Sequence, residues 1–416
     1  RQTAGRVLLR TFSPVLYLTA FVWRRMLFRT TFIALTGSLG KTTAKESLAH
    51  ILRLRYRTFH SRREQNSGYL TSLNVLRVRP WHRVAIFEVA TARPGQLKPL
   101  SRLLRPDIAV LLRVARTHTK NYRSLADIAQ EKWQVIAGIE KRGTVFINGD
   151  DPWLLQKELP AGIRRVTFGC SDSCDFVATE VKAAWPDRLS LTVHHGASMA
   201  RAETRLVGAH WVTSVLAAIA VSAELGIDLQ QAARAVGGVA AFPARMQPVV
   251  LPSGAVVIRD EYNGTVDSFG AAFRFLAEAT APRRILIATG YTDTKEQSTR
   301  RMRNVGREAA TICDLALFFG RSASTAVRAA RQSGMPEDKA KEFYSLPLLA
   351  DYLRQELKSG DLVLVKGRTT DHLSRAILAQ FGEIRCWEMN CRRTHTCDFC
   401  WKLGLSSERL EEIVYS

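Results

Sequence analysis

The stretch Thr31-Phe-Ile-Ala-Leu-Thr-Gly-Ser-Leu-Gly-Lys-Thr-Thr43 decides how the rest of the chain is read. Phe32 to Leu35 form a short apolar run of strand type, Gly37 and Gly40 let the backbone turn close to a ligand, and 44–55 continue with helical periodicity. A strand, a glycine turn and a helix start in that order aim backbone N–H groups and a helix N-terminus at an anion, which predicts a phosphate cradle. Lys41 is expected to reach terminal phosphates and Thr42 to offer a hydroxyl to Mg²⁺, with Gly37, Ser38, Gly40 and Thr43 completing the nucleotide contacts. The spacing departs from the strict G-x-x-x-x-G-K-[ST] pattern, because the residue five before Gly40 is Leu35.

Outward from this loop, the 416 residues suggest two or three domains, and 46% hydrophobic with 24% charged residues describes a globular chain and excludes wholesale disorder. Sixty Lys and Arg against 38 Asp and Glu leave a formal charge of +22, which calls for an anionic partner: nucleotide, nucleic acid, acidic substrate or lipid surface. Arginine is spread along the whole chain with no zinc-finger or RNA-binding signature beside it, so nucleic acid is disfavoured.

Before the loop, 7–28 is apolar with arginines at Arg10, Arg24, Arg25 and Arg29. Its uncharged part, 11–23, contains Pro14 and is too short to span a bilayer. Two readings stand: a helix packed on the nucleotide domain, or one lying on a membrane surface with its arginines toward anionic lipid. No small-residue cleavage site follows, so a signal peptide is not expected.

After the loop, apolar strands at 84–89, 108–114 and 144–147 alternate with helical stretches such as 125–139, which predicts an α/β fold with a largely parallel sheet. A β-rich insertion is expected over 176–193 and an alanine-rich helix over 211–225. A second α/β unit begins near Val249, with strands at 255–258, 285–288, 315–319 and 362–365 and helices at 268–278 and 348–358. The expected organisation is an N-terminal basic apolar helix (1–30), a P-loop central domain with a mostly parallel sheet (31–245), a Rossmann-like α/β domain (246–384) and a small Cys-rich tail (385–416).

Metal and nucleotide ligands in such a sheet belong at the C-terminal strand ends. Glu88 ends one apolar strand, His118 follows the next, and Lys132 sits on the helix after that. Each alone reads as an ordinary polar group; their order behind a phosphate loop makes them candidates.

The ordered set of motifs resembles the Mur ligase family, ATP-dependent enzymes that join an amino acid or peptide to a carboxylate in peptidoglycan synthesis, and within it the branch that adds D-alanyl-D-alanine. The likeness covers about 31–378. It runs through Thr36-Gly-Ser-Leu-Gly-Lys-Thr-Thr-Ala-Lys-Glu46, Glu88 with Pro94-Gly95, Arg105-Pro-Asp-Ile-Ala-Val110 with His118, Glu131 and Lys132, and Asn148-Gly-Asp-Asp151. It continues through Gly208 and His210, Arg245-Met246, Asp260-Glu-Tyr-Asn263, Gly360-Asp361 and Lys366-Gly367. The resemblance implies that Lys41 and Thr42 hold ATP phosphates and one Mg²⁺, that Glu88 and His118 serve Mg²⁺, and that Lys132 matches a lysine many members carbamylate. It further implies that Arg245 reaches the γ-phosphate, Asp260 the ribose, and Asn148 and Asn263 the nucleotide region. The implied reaction activates a carboxylate as an acyl phosphate, which an amine attacks to give amide, ADP and phosphate.

Several positions differ from the family pattern. That branch carries an N-terminal UDP-binding domain where only about thirty residues precede the loop, which puts a UDP-muramoyl substrate in question and makes lipid-linked cell-wall precursors and poly-glutamate chains candidates beside it. Ser214 stands for an adenine-contacting asparagine, Arg259 for an aspartate, and Arg368-Thr-Thr-Asp-His372 follows Lys366-Gly367. In the tail, Cys386, Cys391, Cys397 and Cys400, with His395 as a substitute, offer thiolates for a structural zinc, which would let a short tail fold without its own core; reduced unliganded cysteines and a redox pair are the other readings.

The expected protein is therefore a ligase, cytoplasmic or associated with a membrane surface, using ATP and Mg²⁺ on an anionic carboxylate and an amine acceptor. The rival readings are an ATP-binding subunit of an amidating complex and a nucleic-acid-stimulated ATPase.

Overall fold

The computed structural model describes residues 13–61, 68–91, 93–117, 119–292, 294–389, 391 and 396–405. The chain divides into two compact units. The first runs through Val181 and takes in Ser190–Thr204 and Trp211–Val239; the second comprises Lys182–Leu189, Arg205–His210 and the chain from Ala240 onward.

The first unit is built on nine strands: β1 (Thr31–Thr36), β2 (Thr58–His60), β3 (Val84–Glu88), β4 (Ile108–Leu111), β5 (Thr144–Asn148), β6 (Arg164–Gly169), β7 (Phe176–Lys182), β8 (Ser190–His195) and β9 (Ser198–Glu203). Their order is β2-β3-β1-β4-β5-β6-β7-β8-β9. Strands β2 to β7 pair in parallel, and β8 pairs with β9 antiparallel. Every residue of β3, β4 and β5 is buried, as expected of parallel strands covered on both faces. The β-rich insertion and the alanine-rich helix, Val212–Glu224, occur as expected.

In the first unit, β4 and the helix after it end earlier than the sequence reading expects. Strand β4 stops at Leu111 because the backbone turns to serve the loop: Leu112 N donates to Thr36 O at 3.0 Å and Ser38 N to Arg113 O at 2.7 Å. The helix expected over 125–139 starts at a Ser124/Asp127 capping box but ends at Trp133 and continues as a 3₁₀ turn, Gln134–Gly138. Gly138 lies so close to the preceding layer that a Cβ there would come 2.1 Å from Ser101 O.

The helix Ser13–Met26 packs on this unit through one face. Trp23 Nε1 donates to Val78 O at 2.9 Å, and the buried Arg24 guanidinium donates to Leu104 O and Arg105 O, both at 2.6 Å, while lying 3.8 Å over the Phe32 ring.

The second unit carries β10 (Gln247–Val250), β11 (Val256–Asp260), β12 (Arg283–Ala288), β13 (Leu315–Phe319), β14 (Ala340–Phe343) and β15 (Asp361–Lys366), in the order β10-β11-β15-β12-β13-β14. Only β10 is antiparallel to its neighbour, and helices alternate with the remaining strands, the doubly wound pattern expected.

The expected structural zinc finds no support among the described residues. Ile384, Cys397 and Leu403 belong to the same buried cluster as β12, β13 and β15, so this stretch takes its burial from the second unit's core. Among the described residues no three His, Cys, Asp or Glu side chains gather as metal ligands. Cys397 Sγ instead accepts from Arg375 Nε at 3.3 Å and lies 3.5 Å from His372 Nδ1, and burial pushes its thiol up, against Arg375. His395 lies outside the described residues.

Candidate active site

The loop after β1 is shaped by its two glycines. Gly40 sits at φ 79°, the left-handed region, and a Cβ there would come 2.3 Å from Ser214 Oγ. A Cβ on Gly37 would lie 3.0 Å from Leu112 Cβ. Ser214, expected from the resemblance near a base, packs against the loop, where its hydroxyl donates to Gly40 O at 3.1 Å. Ser38 Oγ donates to Ala115 O at 3.1 Å, so the loop is fixed from the β4 side as well. The helix Lys41–Leu52 begins immediately after Gly40, with Thr42 and Thr43 buried in its first turn.

Around that helix start three predicted residues come together with Lys41. Thr42 Oγ1 donates to Glu88 Oε2 at 2.9 Å across the β1–β3 pair, in which Leu35 is registered with Glu88. Lys41 Nζ lies over the loop, donating to Gly37 O at 2.9 Å and Ser38 O at 3.2 Å. Lys132 is buried, and its ammonium is pushed down to about 7 by burial and by the Lys41 charge, against the pull of Glu131 and Glu88. The mouth of the loop thus combines hydroxyl and carboxylate oxygens, a lysine at the helix start and a second lysine that is readily neutral near pH 7.

Glu131, to which the motifs assign no role, supports this arrangement. Its carboxylate accepts from Gly95 N at 2.7 Å, Leu97 N at 2.9 Å and Thr91 Oγ1 at 3.3 Å, fixing the connection after β3 beside Lys132. Nothing local in the sequence announces that clamp, since its partners lie 34 to 40 residues away. Asp151 was likewise unassigned, although Asp before Pro152 is a helix-start signal; it caps Pro152–Leu155 and accepts from Val114 N at 2.6 Å. Asn148 ends β5, buried, with its Oδ1 accepting from Asp150 N at 3.1 Å. His118 lies outside the described residues.

The remaining predicted residues belong to the second unit and are described by themselves. Arg245 is half-buried with its guanidinium 4.1 Å over the Tyr262 ring, and desolvation pushes its pKa down, opposed by Tyr262 and Asp260. Asp260, at the end of β11, pairs with buried Lys366 at 2.5 Å and accepts from Met246 N at 3.2 Å. Asn263 is exposed, and its carbonyl accepts from Lys366 Nζ at 2.8 Å. Beside them Arg259 is fully buried between two acids: Nε donates to Glu261 Oε1 at 2.9 Å and Nη1 to Asp398 Oδ1 at 2.5 Å. The arginine that breaks the family pattern is therefore the partner of an aspartate in the Cys-rich stretch, 139 residues away.

Comparison with known proteins agrees with this layout. Residues 35–222 match the Mur ligase middle domain and 244–369 the Mur ligase glutamate ligase domain. The UDP-N-acetylmuramoyl-tripeptide--D-alanyl-D-alanine ligase of Escherichia coli is 27% identical over 267 residues, 64% of this chain and 59% of that enzyme. The enzyme of the same name from Mycobacterium tuberculosis is 30% identical over 380 residues, 86% of this chain and 74% of that one. A crystal structure of MurF from Acinetobacter baumannii superposes with a TM-score of 0.80 at 22% identity, over 88% of this chain and 80% of that one, which shows a shared fold. The match thus spans less than two thirds of the Escherichia coli relative's length and about three quarters of the mycobacterial one's. With both catalytic domain types matched in order along one α/β chain, the protein belongs to the Mur ligase family.

Proposed function

We propose that the chain is an ATP-dependent, ADP-forming ligase that joins a carboxylate to an amine through an acyl phosphate, acting in the cytoplasm on a peptidoglycan-type precursor. The observation that carries this is the mouth of the β1 loop, where Lys41, Thr42, Glu88 and the low-pKa Lys132 converge.

The donor set fits a hard divalent ion: a hydroxyl and a carboxylate already 2.9 Å apart, at a helix start whose glycine leaves no room for a side chain. Thr42 and Glu88 would hold Mg²⁺, together with His118 by family resemblance. When bound, the ion would supply charge neutralisation for the phosphates. The loop N–H groups and Lys41 would bind and orient the nucleotide. A carboxylate is a poor acyl donor because an oxide would have to leave. Attack of its oxygen on the γ-phosphorus breaks the bond to the β-phosphate oxygen and releases ADP. The amine then displaces phosphate from the acyl carbon, losing a proton as the amide forms.

Lys132 is proposed as the carbamylated residue. Its neutral amine adds CO₂ and loses a proton, turning a buried cation into an anion beside Lys41. Arg245, Asp260, Asn148 and Asn263 are proposed nucleotide contacts. The tripeptide and D-alanyl-D-alanine named for the relatives are the first donor and acceptor to test.

An acyl phosphate leaves an isotopic mark. With ¹⁸O in the donor carboxylate, one label should appear in the released phosphate for each amide made. Unlabelled phosphate accompanying amide formation, or ATP binding with no turnover on any carboxylate and amine offered, would contradict the proposal.

A further inference from the structure

The outer face of the helix Ser13–Met26 takes no part in the ligase site and is apolar. Val15, Leu18, Val22 and Met26, spaced three, four and four residues apart, are 62%, 63%, 53% and 61% exposed. The opposite face, with Ala20 and Arg24, is buried against the first unit. At the helix's C-terminal end Phe28 is exposed, and so is Trp81, on a segment tied to the same end by the Trp23 Nε1 bond to Val78 O and the Thr30 Oγ1 bond to His82 O. Leucine, valine and methionine in a row, bordered by a phenylalanine and a tryptophan, make a continuous apolar edge on one side of the unit.

The two segments that form this edge carry charge of one sign. Residues 13–30 and 68–87, which form it, contain Arg24, Arg25, Arg29, Arg77, Arg79 and Arg83 and no aspartate or glutamate. Arg29, Arg77, Arg79 and Arg83 are exposed. Among the described residues, the carboxylates found near the helix, Asp107 beside Arg24 and Glu140 beside Arg105, lie toward its packed face. A second copy of the chain would bring the same arginines against these, whereas an anionic surface with an apolar interior satisfies both the stripe and its rim. Among the described residues no helix is long and apolar enough to cross a membrane, so the fitting geometry is a helix lying in the interface plane with Trp81 and Phe28 at headgroup depth.

We propose that the Val15–Leu18–Val22–Met26 stripe, with Phe28, Trp81 and the surrounding arginines, docks the protein onto an anionic lipid bilayer surface. The juxtaposition of an exposed apolar helix face with arginine-rich segments that themselves contain no aspartate or glutamate carries the proposal, and it stands independently of the ligase reading. Docking there would bring the enzyme to carboxylate donors held at a membrane.

The test is co-sedimentation of the full chain with vesicles of phosphatidylcholine alone or mixed with phosphatidylglycerol, at low and high salt. The expected result is binding to the mixed vesicles only, weakened by salt, and reduced about tenfold or more in Leu18→Glu/Val22→Glu/Met26→Glu. Because all three positions are more than half exposed, that variant should keep its thermal unfolding profile. Trp81→Ser, on a separate segment, provides a second and smaller reduction should the triple variant fold poorly. Absence of binding to the mixed vesicles, or equal binding by variants that remain folded, would overturn the proposal. So would a stripe-dependent dimer of the chain with no vesicle binding.

Discussion

The mouth of the β1 loop in the first unit and the end of β11 in the second both bury cations, with opposite consequences. Lys132 is pushed down to about 7 by burial and by Lys41, with Glu131 and Glu88 only partly offsetting this. Arg259, equally buried, is held above its ordinary value because Asp398 and Glu261 together outweigh the burial penalty. One environment leaves a cation ready to lose its proton or change its chemistry; the other closes a charge cluster on itself. A buried cation is thus brought close to its neutral form in the first unit and clamped as a charge in the second.

The clasp should respond in stability. Asp398→Ala leaves the Arg259 guanidinium buried beside a single acid and should lower unfolding free energy by about 3–5 kcal/mol, measured by denaturant titration. If the loss is under about 1 kcal/mol, the cluster holds nothing in place. Lys132→Met should behave the other way. Replacing a buried, partly neutralised lysine with an apolar chain should leave stability unchanged or higher, while ADP formation falls about 10²–10³-fold. Reduced stability with retained turnover would erase the contrast between the two regions.

Smaller effects sharpen the picture. Gly40→Ala should weaken nucleotide binding and destabilise the fold by about 1–2 kcal/mol through its left-handed backbone, with further loss from the approach to Ser214 Oγ. Adding Ser214→Ala should recover the steric part but leave the backbone part, a split readable by calorimetry. His372, beside Cys397 in the clasp region, is lowered to about 4 by burial and Arg375, against Asp371 and Glu388. The unfolded chain takes up that proton near pH 6.5 and the folded one only near 4. Stability linked to His372 is therefore complete above about pH 6.5, declines as pH falls from there to about 4, and levels off below. His372→Gln should flatten that slope in pH-dependent unfolding curves.

Much of the first unit was legible because its signals are local. The run from Phe32 to Leu35, the two glycines and Lys41 lie within one turn of each other, and Glu88 follows an uninterrupted apolar strand. What escaped depends on partners far apart in the chain. The Arg259–Asp398 pair spans 139 residues, so Arg259 read only as a departure from pattern and the Cys-rich stretch only as a metal motif. The Glu131 clamp, built from Thr91, Gly95 and Leu97, has no sequence signature for the same reason. The early end of β4 came from the loop itself taking the Arg113 carbonyl, a tertiary demand that apolar periodicity does not encode.

The most direct measurement is ADP release by the purified chain in the presence of Mg-ATP, a carboxylate donor and an amine acceptor, compared with Lys41→Ala. Release should require both substrates, match amide formation one for one, and fall about 10²–10³-fold in the variant while its unfolding curve stays in place. Substrate-independent hydrolysis, or full turnover by Lys41→Ala, would contradict the ligase reading.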